Sequence, residues 1–514
     1  MELDQLLFEG EYEGEPIPRG IMITGIENDG RRVAPGVLFF CHRGTRFDSH
    51  TLLPSVAGAG CAAAVVSDEY EGKPVGMPVI RVKDTRRAEA IAVSRFYGSP
   101  AEQLTMIGVT GTNGKTSVAT MIWHLLNDAG IPCAMIGTTG YRGVPGREND
   151  FDGFRTGDAS TMTTPPPPTL YPLLAAAGDA GITHVVMEVS SQALSQARVA
   201  PIRFALAVFT NLSPEHLDYH GTMTEYLEAK KILFRQSDTA VYNGDSPWSD
   251  LLLDGLTIRK ISCGTLGGCN VRATDVSLNG RAGVSFVYRA SEGTFPVSVP
   301  IPGTFTVQNA LLALTAAKTL GVDLPHGIRS LARVPTIPGR MERIDTGDLP
   351  FSVFIDYAHT EAALRSLLTS VRAIRQSGER IVVLFGCGGD RDPSKRCEMG
   401  KTAAQLADLS IVTSDNSRSE DPKKIIRSIL SGMKDCEKRR VFVDREKAIR
   451  YAITNARPGD LILLVGKGHE KYEITRDGVR EFDEKKIVLS ALEERRAGHT
   501  MEESDRADQN RNAD

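Results

Sequence analysis

The sequence predicts an α/β protein of three domains, with a central sheet built around a phosphate loop and a C-terminal doubly wound, Rossmann-like domain. Its 514 residues exceed what a single hydrophobic core serves. Residues 108–117 read Gly-Val-Thr-Gly-Thr-Asn-Gly-Lys-Thr-Ser. This glycine-rich turn lies between a strand-like run (Leu104, Met106, Ile107) and a helical pattern through Met121, Ile122, Leu125 and Leu126. Beyond about residue 339, apolar runs of strand length alternate with helix-length segments, as in a parallel sheet covered on both faces.

Residues 1–100 carry short apolar runs at 20–26, 36–41, 61–67 and 78–82 between turns, and read as a small α/β domain. The second block, 101–337, opens with the phosphate loop. Strands are expected there at 134–137, 183–189, 204–210 and 239–242, with helices at 222–236 and 307–320. A β-rich insertion is expected at about 256–301, turning at Asn279-Gly280 and Glu292-Gly293. The run 161–168 contains four consecutive prolines and reads as a stiff loop that cannot be helical. In the third block, 338–497, strands at 351–356, 380–386, 409–413, 440–443 and 460–465 alternate with helices at 360–376, 395–407, 421–433 and 444–456. Polar loops fall at the C-terminal strand ends (356–360, 386–392, 414–418, 466–470), where open α/β sheets bind ligands. The charged, polar tail 498–514 is expected to be disordered.

A net charge of −4 gives no general attraction to nucleic acid or anionic lipid, so phosphate chemistry must rely on local charges. The eight cysteines form no Cys-x-x-Cys pair and no zinc-like spacing, which suits reduced thiols in a cytoplasmic protein. No apolar run approaches a membrane span, and the start Met-Glu-Leu-Asp-Gln does not resemble a signal peptide.

A strand, a glycine turn and a helix N-terminus make a phosphate cradle. Backbone N–H groups and the helix dipole face an anion, Lys115 adds a charge, and the Thr116 hydroxyl suits magnesium. The general phosphate-loop spacing wants glycine at 109, where this chain has Val109; its glycines stand at 108, 111 and 114. Glu188 closes a predicted strand and can present a carboxylate beside the loop. The segment 210–221 is rich in metal-capable groups, although His216 or His220 taken alone reads as a structural loop histidine. By helical pattern alone, Lys230 reads as a solvated lysine on an amphipathic face.

Eight motifs occur in a fixed order: Gly111-Thr-Asn-Gly-Lys-Thr116, Met187-Glu-Val-Ser-Ser191, Asn211-Leu-Ser-Pro-Glu-His216-Leu-Asp-Tyr-His-Gly221, Ala229-Lys230, Gly339-Arg-Met-Glu342, Asp356-Tyr-Ala-His-Thr360, Gly386-Cys-Gly-Gly-Asp-Arg-Asp392 and Gly466-Lys-Gly-His-Glu470. From about residue 20 to 490 the chain thereby resembles the Mur ligases, and among them the UDP-N-acetylmuramoyl-tripeptide synthetases. The resemblance implies a UDP-substrate domain, a central P-loop ATPase domain and an amino-acid-binding domain. It implies joining of an amino acid to the D-glutamate of UDP-MurNAc-L-Ala-D-Glu through an acyl phosphate made with ATP.

Residue roles follow from the same resemblance. Gly111, Thr112, Asn113, Gly114, Lys115, Thr116 and Ser117 would cradle ATP, with Lys115 on the transferring phosphate. Thr116 and Glu188 would hold one magnesium and His216 a second, and Lys230 matches a lysine that carries a CO2-derived carbamate (N6-carboxylysine) as a metal ligand. Asn309, Arg340 and Asp356 match nucleotide-binding positions, Asp356 being suited to ribose hydroxyls. Thr163, Thr164, Ser190, Gln196 and Arg198 fall where the family holds the muramoyl-dipeptide. Arg391, Asp415, Asn416, Arg418, Gly466 and Glu470 fall where it holds the added amino acid. A guanidinium at 418 can pair with the distal carboxylate of meso-diaminopimelate and would repel the distal ammonium of lysine, so diaminopimelate is expected. The implied partners are small molecules, with no nucleic acid and no membrane span, acting on a monomer in the cytoplasm.

Four positions depart from the family pattern. Gly30 replaces a serine in Asp29-Gly30-Arg31, which removes a hydroxyl from the uridine end. Thr306 replaces an asparagine. Glu361 and Ser417 each replace a proline, which is expected to loosen two loops and to put a negative charge near the ATP region at 361. An L-lysine-adding enzyme, a paralogous amide ligase on another acyl substrate, and a nucleotide-binding scaffold without ligation are the alternatives.

Overall fold

The segments Arg380–Phe385 and Asp460–Val465 are apolar at almost every position, which suits strands covered on both faces, and both are central in a parallel sheet. The computed structural model describes residues 1–511 apart from 9, 15, 45–46, 73–74, 147–161 and 435. The chain forms two compact units. One comprises Met1–Leu212, Tyr219–Asn270 and Leu312–Gly327; the other comprises Ser213–Asp218, Val271–Leu311 and Ile328–Asp514.

The first unit contains two sheets. Gly25–Glu27, Val37–Phe40, Ala63–Ser67 and Val79–Val82 pair in chain order, all parallel. The helix Thr85–Phe96 follows, its N-terminus capped by the Asp84 carboxylate, which accepts from the N–H groups of Arg86 and Arg87. The second sheet has the order Arg259–Gly264, Ser237–Asn243, Phe204–Phe209, Thr105–Thr110, His184–Glu188, Cys133–Gly137 and Gly140–Arg142, parallel except for the last strand. Thr105–Thr110, which feeds the phosphate loop, lies between His184–Glu188 and Phe204–Phe209. Later strands therefore leave it on opposite sides, the arrangement that opens a ligand crevice beyond the strand ends.

The expected strands and helices of this block are present within one or two residues, except around the prolines. Pro165 and Pro166 are in loop, but Pro167 and Pro168 open the helix Pro167–Asp179. The first turn of a helix needs no N–H donor and accepts the fixed φ of proline, so the run ends by starting a helix.

The second unit contains the antiparallel meander Val271–Leu278, Val284–Ala290, Gly293–Val299. It also contains a six-stranded sheet in the order Glu342–Ile344, Ser352–Asp356, Asp460–Val465, Arg380–Phe385, Leu409–Val412, Arg439–Val441, parallel except for the first. Alternate side chains divide between two cores. Val383, Phe385, Leu461, Leu463 and Val465 pack with helices Glu361–Ile374, Ser394–Leu406 and Pro422–Leu430. Val382, Leu384, Ile462 and Leu464 pack with Arg445–Thr454 and the start of the last helix. Helices on both faces make this the doubly wound sheet that the sequence predicts. The last helix runs Glu484–Arg511 and enters the stretch whose composition predicts disorder. Among the described residues, no helix is long and apolar enough to cross a membrane.

Candidate active site

The phosphate loop is shaped by glycines and pinned by an asparagine. Gly111 has φ +148, and a Cβ there would meet Thr210 Oγ1 at 1.9 Å, so no side chain fits. Gly114, at φ +87, ends the loop, and the helix Lys115–Asp128 begins at once. Asn211 holds the turn from below. Its Oδ1 accepts from the N–H of Asn113 at 2.9 Å, its Nδ2 donates to the Asn113 carbonyl at 3.1 Å, and its own carbonyl accepts from the N–H of Thr112 at 2.9 Å. Lys115 folds back, its Nζ donating to the carbonyls of Gly111 and Thr112 at 2.9 Å each.

Lys230 is not solvated. It is 1% exposed, donates to the Gly111 carbonyl at 3.1 Å, and lies 4.5 Å over the Tyr226 ring. The helix Met223–Arg235 buries Tyr226, Leu227, Ala229, Lys230, Leu233 and Phe234 together, so position 230 belongs to the buried stripe. The pattern reading failed because lysine was counted as polar without asking what its stem and ammonium meet.

Glu188 is the last residue of its strand and is wholly buried. Its Oε2 accepts from Thr116 Oγ1 at 2.9 Å and from Thr138 Oγ1 at 3.0 Å, and its Oε1 accepts from the N–H of Thr138 at 2.9 Å. A Cβ at Gly137 would sit 2.3 Å from Glu188 Oε1, so glycine there makes room for the carboxylate. The network continues outward. Thr138 Oγ1 is 3.0 Å from Thr163 Oγ1, Thr164 Oγ1 donates to the Glu188 carbonyl at 2.9 Å, and the N–H of Ser190 donates to Thr164 Oγ1 at 3.0 Å. Arg198 donates to the Thr164 carbonyl at 2.6 Å and to Gln196 Oε1 at 2.7 Å. Thr116 and Glu188, expected at one magnesium, and the residues expected at the muramoyl-dipeptide are thus one hydrogen-bonded set within the first unit.

A hydroxyl and an ionisable carboxylate side by side are hard oxygen donors, the chemistry magnesium prefers, and magnesium usually takes few protein ligands besides phosphate and water. The pair Thr116 and Glu188 therefore fits that ion. Among the described residues, no group of three or more His, Cys, Asp or Glu side chains is assembled to hold a metal by itself. His216 belongs to the second unit, in Ser213–Asp218, where it has φ +57 and lies 3.9 Å from Glu215.

Asn309, Arg340 and Asp356 also fall in the second unit. Asp356 is buried at the end of its strand and accepts from the N–H groups of Met341 and Ala358 at 2.8 and 2.9 Å. Burial pushes its carboxyl up against the opposing pull of Arg340 and those two donors. Arg340 lies 4.9 Å over the Tyr357 ring, and Asn309 is buried in the helix Phe305–Thr319.

The loops at the C-terminal end of the six-stranded sheet converge. Asn416 donates to Glu470 Oε2 at 2.8 Å and accepts on Oδ1 from Lys467 Nζ at 3.0 Å and from the N–H of Ile474 at 2.9 Å. Arg418, at φ +51, donates to the Gly389 carbonyl at 2.8 Å. A Cβ at Gly388 would meet Arg418 Nη1 at 2.9 Å and Arg391 Cγ at 3.9 Å, which places exposed Arg391 beside Arg418. A Cβ at Gly466, which has φ +116, would meet Asp415 Oδ2 at 2.8 Å. Burial opposes the charge on Asp415, yet Lys467 and Arg445 hold its carboxyl below the usual range. Burial wins at Glu470, whose carboxyl is raised despite Lys467 and with the help of Asp415. One anion is thus kept firmly and the other loosely.

Three of the four departures, Thr306, Glu361 and Ser417, are accommodated. Glu361 is the first residue of the helix Glu361–Ile374, and its Oε1 accepts from Arg365 Nε at 2.6 Å and from Thr402 Oγ1 at 2.7 Å. The expected loose, unbalanced charge is therefore not found: an acidic side chain suits a helix N-terminus as proline does, and a cation answers it. Ser417 is buried, with its carbonyl accepting from the N–H of Glu420 at 3.0 Å. Thr306 Oγ1 donates to the Pro302 carbonyl at 3.2 Å.

Sequence reasoning missed Thr138, Tyr226 and Lys467 as parts of these networks. Thr138 follows a predicted strand in a Gly-Thr-Thr-Gly turn, the one signal that marked it. Lys467 lay inside a quoted motif but carried no role.

Residues 22–97, 109–317 and 339–468 match, in turn, the Mur ligase family catalytic domain, the Mur ligase middle domain and the Mur ligase glutamate ligase domain. A Geobacillus kaustophilus protein named UDP-N-acetylmuramoyl-L-alanyl-D-glutamate–2,6-diaminopimelate ligase is 39% identical over 486 residues, covering 92% of this chain and 95% of its own. A protein of the same name from Synechococcus elongatus is 40% identical over 490 residues, covering 93% and 95%. A solved structure of a ligase of that name superposes with a TM-score of 0.66 at 28% identity, covering 96% of this chain and 99% of its own.

Proposed function

We propose a function on the premise that the chain belongs to the Mur ligase family, as its three domain matches and its nearly full-length relatives establish. It is an ATP-dependent ligase that joins meso-diaminopimelate to the D-glutamate of UDP-MurNAc-L-Ala-D-Glu in peptidoglycan synthesis. The observation that carries the choice of amino acid is Arg418 held beside Arg391, on the converging loops that also carry Asp415 and Glu470.

We read the three matched blocks as the UDP-substrate, ATP and amino-acid regions. A carboxylate is a poor acyl donor, so the glutamyl carboxylate takes the γ-phosphoryl of ATP and ADP leaves. The amine of diaminopimelate then attacks the acyl carbon, phosphate departs, and the ammonium has given up its protons to solvent or base. Anions must meet in the first step, so charge neutralisation and alignment carry most of the catalysis. Lys115, now resting on loop carbonyls, would turn to the transferring phosphate. Thr116 and Glu188 would hold magnesium, which when bound neutralises phosphate oxygens.

Thr163, Thr164, Ser190, Gln196 and Arg198 would hold the muramoyl-dipeptide, with Arg198 on a carboxylate. Asn309, Arg340 and Asp356 would hold the nucleoside, and His216 would serve a second magnesium. At the far end of the incoming amino acid, Arg418 would pair with the distal carboxylate and Glu470 with the distal ammonium.

Lys230 is proposed to carry a carbamate, formed as its amine adds CO2 and loses a proton. A carbamate nitrogen keeps one N–H, so its bond to the Gly111 carbonyl can persist while the new carboxylate is free for magnesium. The change also replaces a buried cation by a group that a metal can balance.

The test is ADP release with UDP-MurNAc-L-Ala-D-Glu and either meso-diaminopimelate, L-lysine or no amino acid. Turnover with diaminopimelate alone is expected. Turnover with lysine alone would overturn the reading of Arg418, and hydrolysis without ligated product would favour a different acyl substrate or a scaffold.

A further inference from the structure

Arg445 is a fully buried arginine at the first position of the helix Arg445–Thr454, and no role for it follows from the motifs. Its guanidinium makes three bonds. Nε donates to Glu484 Oε1 at 2.6 Å, Nη1 to the Ser414 carbonyl at 3.1 Å and Nη2 to the Val465 carbonyl at 2.9 Å. Val465 ends the strand Asp460–Val465, and Ser414 lies just past Leu409–Val412; these strands flank Arg380–Phe385 on its two sides. The fork therefore spans the end of the middle strand and ties together the two loops that begin with Asp415 and Gly466.

We propose that Arg445 is a positioning residue for the amino-acid pocket, fixing the separation of Asp415 and Gly466 by bridging the carbonyls immediately before them. The proposal rests on the assignment of that pocket above. The tolerance is small, because Asp415 Oδ2 would lie only 2.8 Å from a Cβ on Gly466. A lysine could not replace this function, since an ammonium has no planar fork set to reach two carbonyls and a carboxylate at once. Glu484 makes the arrangement possible. Its side chain is 1% exposed and that of Arg445 is 0% exposed, so each supplies the charge that lets the other stay in the core. The guanidinium has a second effect: with Lys467 it opposes the burial of Asp415 and keeps that carboxyl ionised for an incoming ammonium.

Two variants of the full chain test this. R445K keeps the charge and loses the fork. The double variant Arg445→Met with Glu484→Met removes both charges together and leaves no unpaired ion in the core. In each, the KM for meso-diaminopimelate should rise about ten-fold, while the KM values for ATP and UDP-MurNAc-L-Ala-D-Glu stay within about two-fold. Thermal melts run alongside identify which variant is folded. An unchanged diaminopimelate KM in a folded variant, or a common rise in all three KM values, would overturn the proposal. Arg418→Ala is the control on the pocket itself. If it leaves the diaminopimelate KM unchanged, the pocket assignment fails; if it raises that KM and the Arg445 variants do not, only the role of Arg445 fails.

Discussion

Lys230 donates to the carbonyl oxygen of Gly111 at 3.1 Å across 119 residues of sequence, on the same oxygen that takes Lys115 at 2.9 Å. Two ammonium groups on one loop carbonyl mark Lys230 as part of the phosphate loop. Lys230→Ala is expected to lose activity by on the order of 10²-fold or more, with partial rescue by short carboxylic acids that stand in for the carbamate. Activity is read as ADP release with and without added acetate. Full activity of Lys230→Arg, which cannot be carbamylated, would end the carbamate reading.

Glu188 accepts two hydroxyls and one backbone N–H, and its partner Thr116 is the hydroxyl of the phosphate loop. Glu188→Gln keeps the shape and removes the charge. The magnesium concentration for half-maximal rate should rise at least about ten-fold, with kcat falling on the order of 10²-fold. A magnesium titration with an unchanged midpoint would show that Glu188 is only a brace for Thr138.

Gly111 and Gly130 both have positive φ, but only Gly111 is crowded; a Cβ at Gly130 meets nothing within 4 Å. Gly111→Ala should cost roughly 1–3 kcal/mol of stability and abolish ADP binding, because the loop must move off Thr210. Gly130→Ala should cost less and leave ADP binding intact. Melting curves and nucleotide titrations of the two variants compare them directly. Equal ADP affinity in both would refute the steric account.

Burial raises the Glu470 carboxyl above its ordinary value, while Asp415 is held below its own. On acidification Glu470 gains its proton first and loses the charge proposed for the distal ammonium. The KM for diaminopimelate should therefore rise as pH falls through that raised value, and the rise should be absent in Glu470→Gln. For stability the sign is opposite. The folded state binds this proton more tightly than the unfolded state, so ionised Glu470 is a net cost at neutral pH, and Glu470→Gln should melt no lower than the parent. A parent-like acid limb in Glu470→Gln would assign the limb to another group.

The doubly wound sheet was legible because residues 381–385 and 461–465 are unbroken apolar runs of strand length, as strands buried on both faces require. The phosphate loop was legible because the positive φ at Gly114 and Gly111 is a local demand for glycine, whereas the lack of room at Gly111 comes from the distant Thr210. Lys230 was not legible from pattern. A lysine in an amphipathic helix scores as polar whatever it faces, and its burial depends on a carbonyl 119 residues away. The proline run was half legible, because the rule against proline in helices does not hold for the first turn, where Pro167 and Pro168 stand.

The sequence by itself determined the order of strands and helices, the phosphate loop, and a set of ordered motifs specific enough to indicate a ligase. These depend on spacing along the chain and on local backbone demands. Tertiary structure alone decided which charges are kept and how. It set Thr138 against Glu188, it brought Thr402 to the carboxylate of Glu361, and it placed Arg445 across two strand ends beside Asp415. Burial and charge pairing arise from residues far apart in sequence, so no local window contains them.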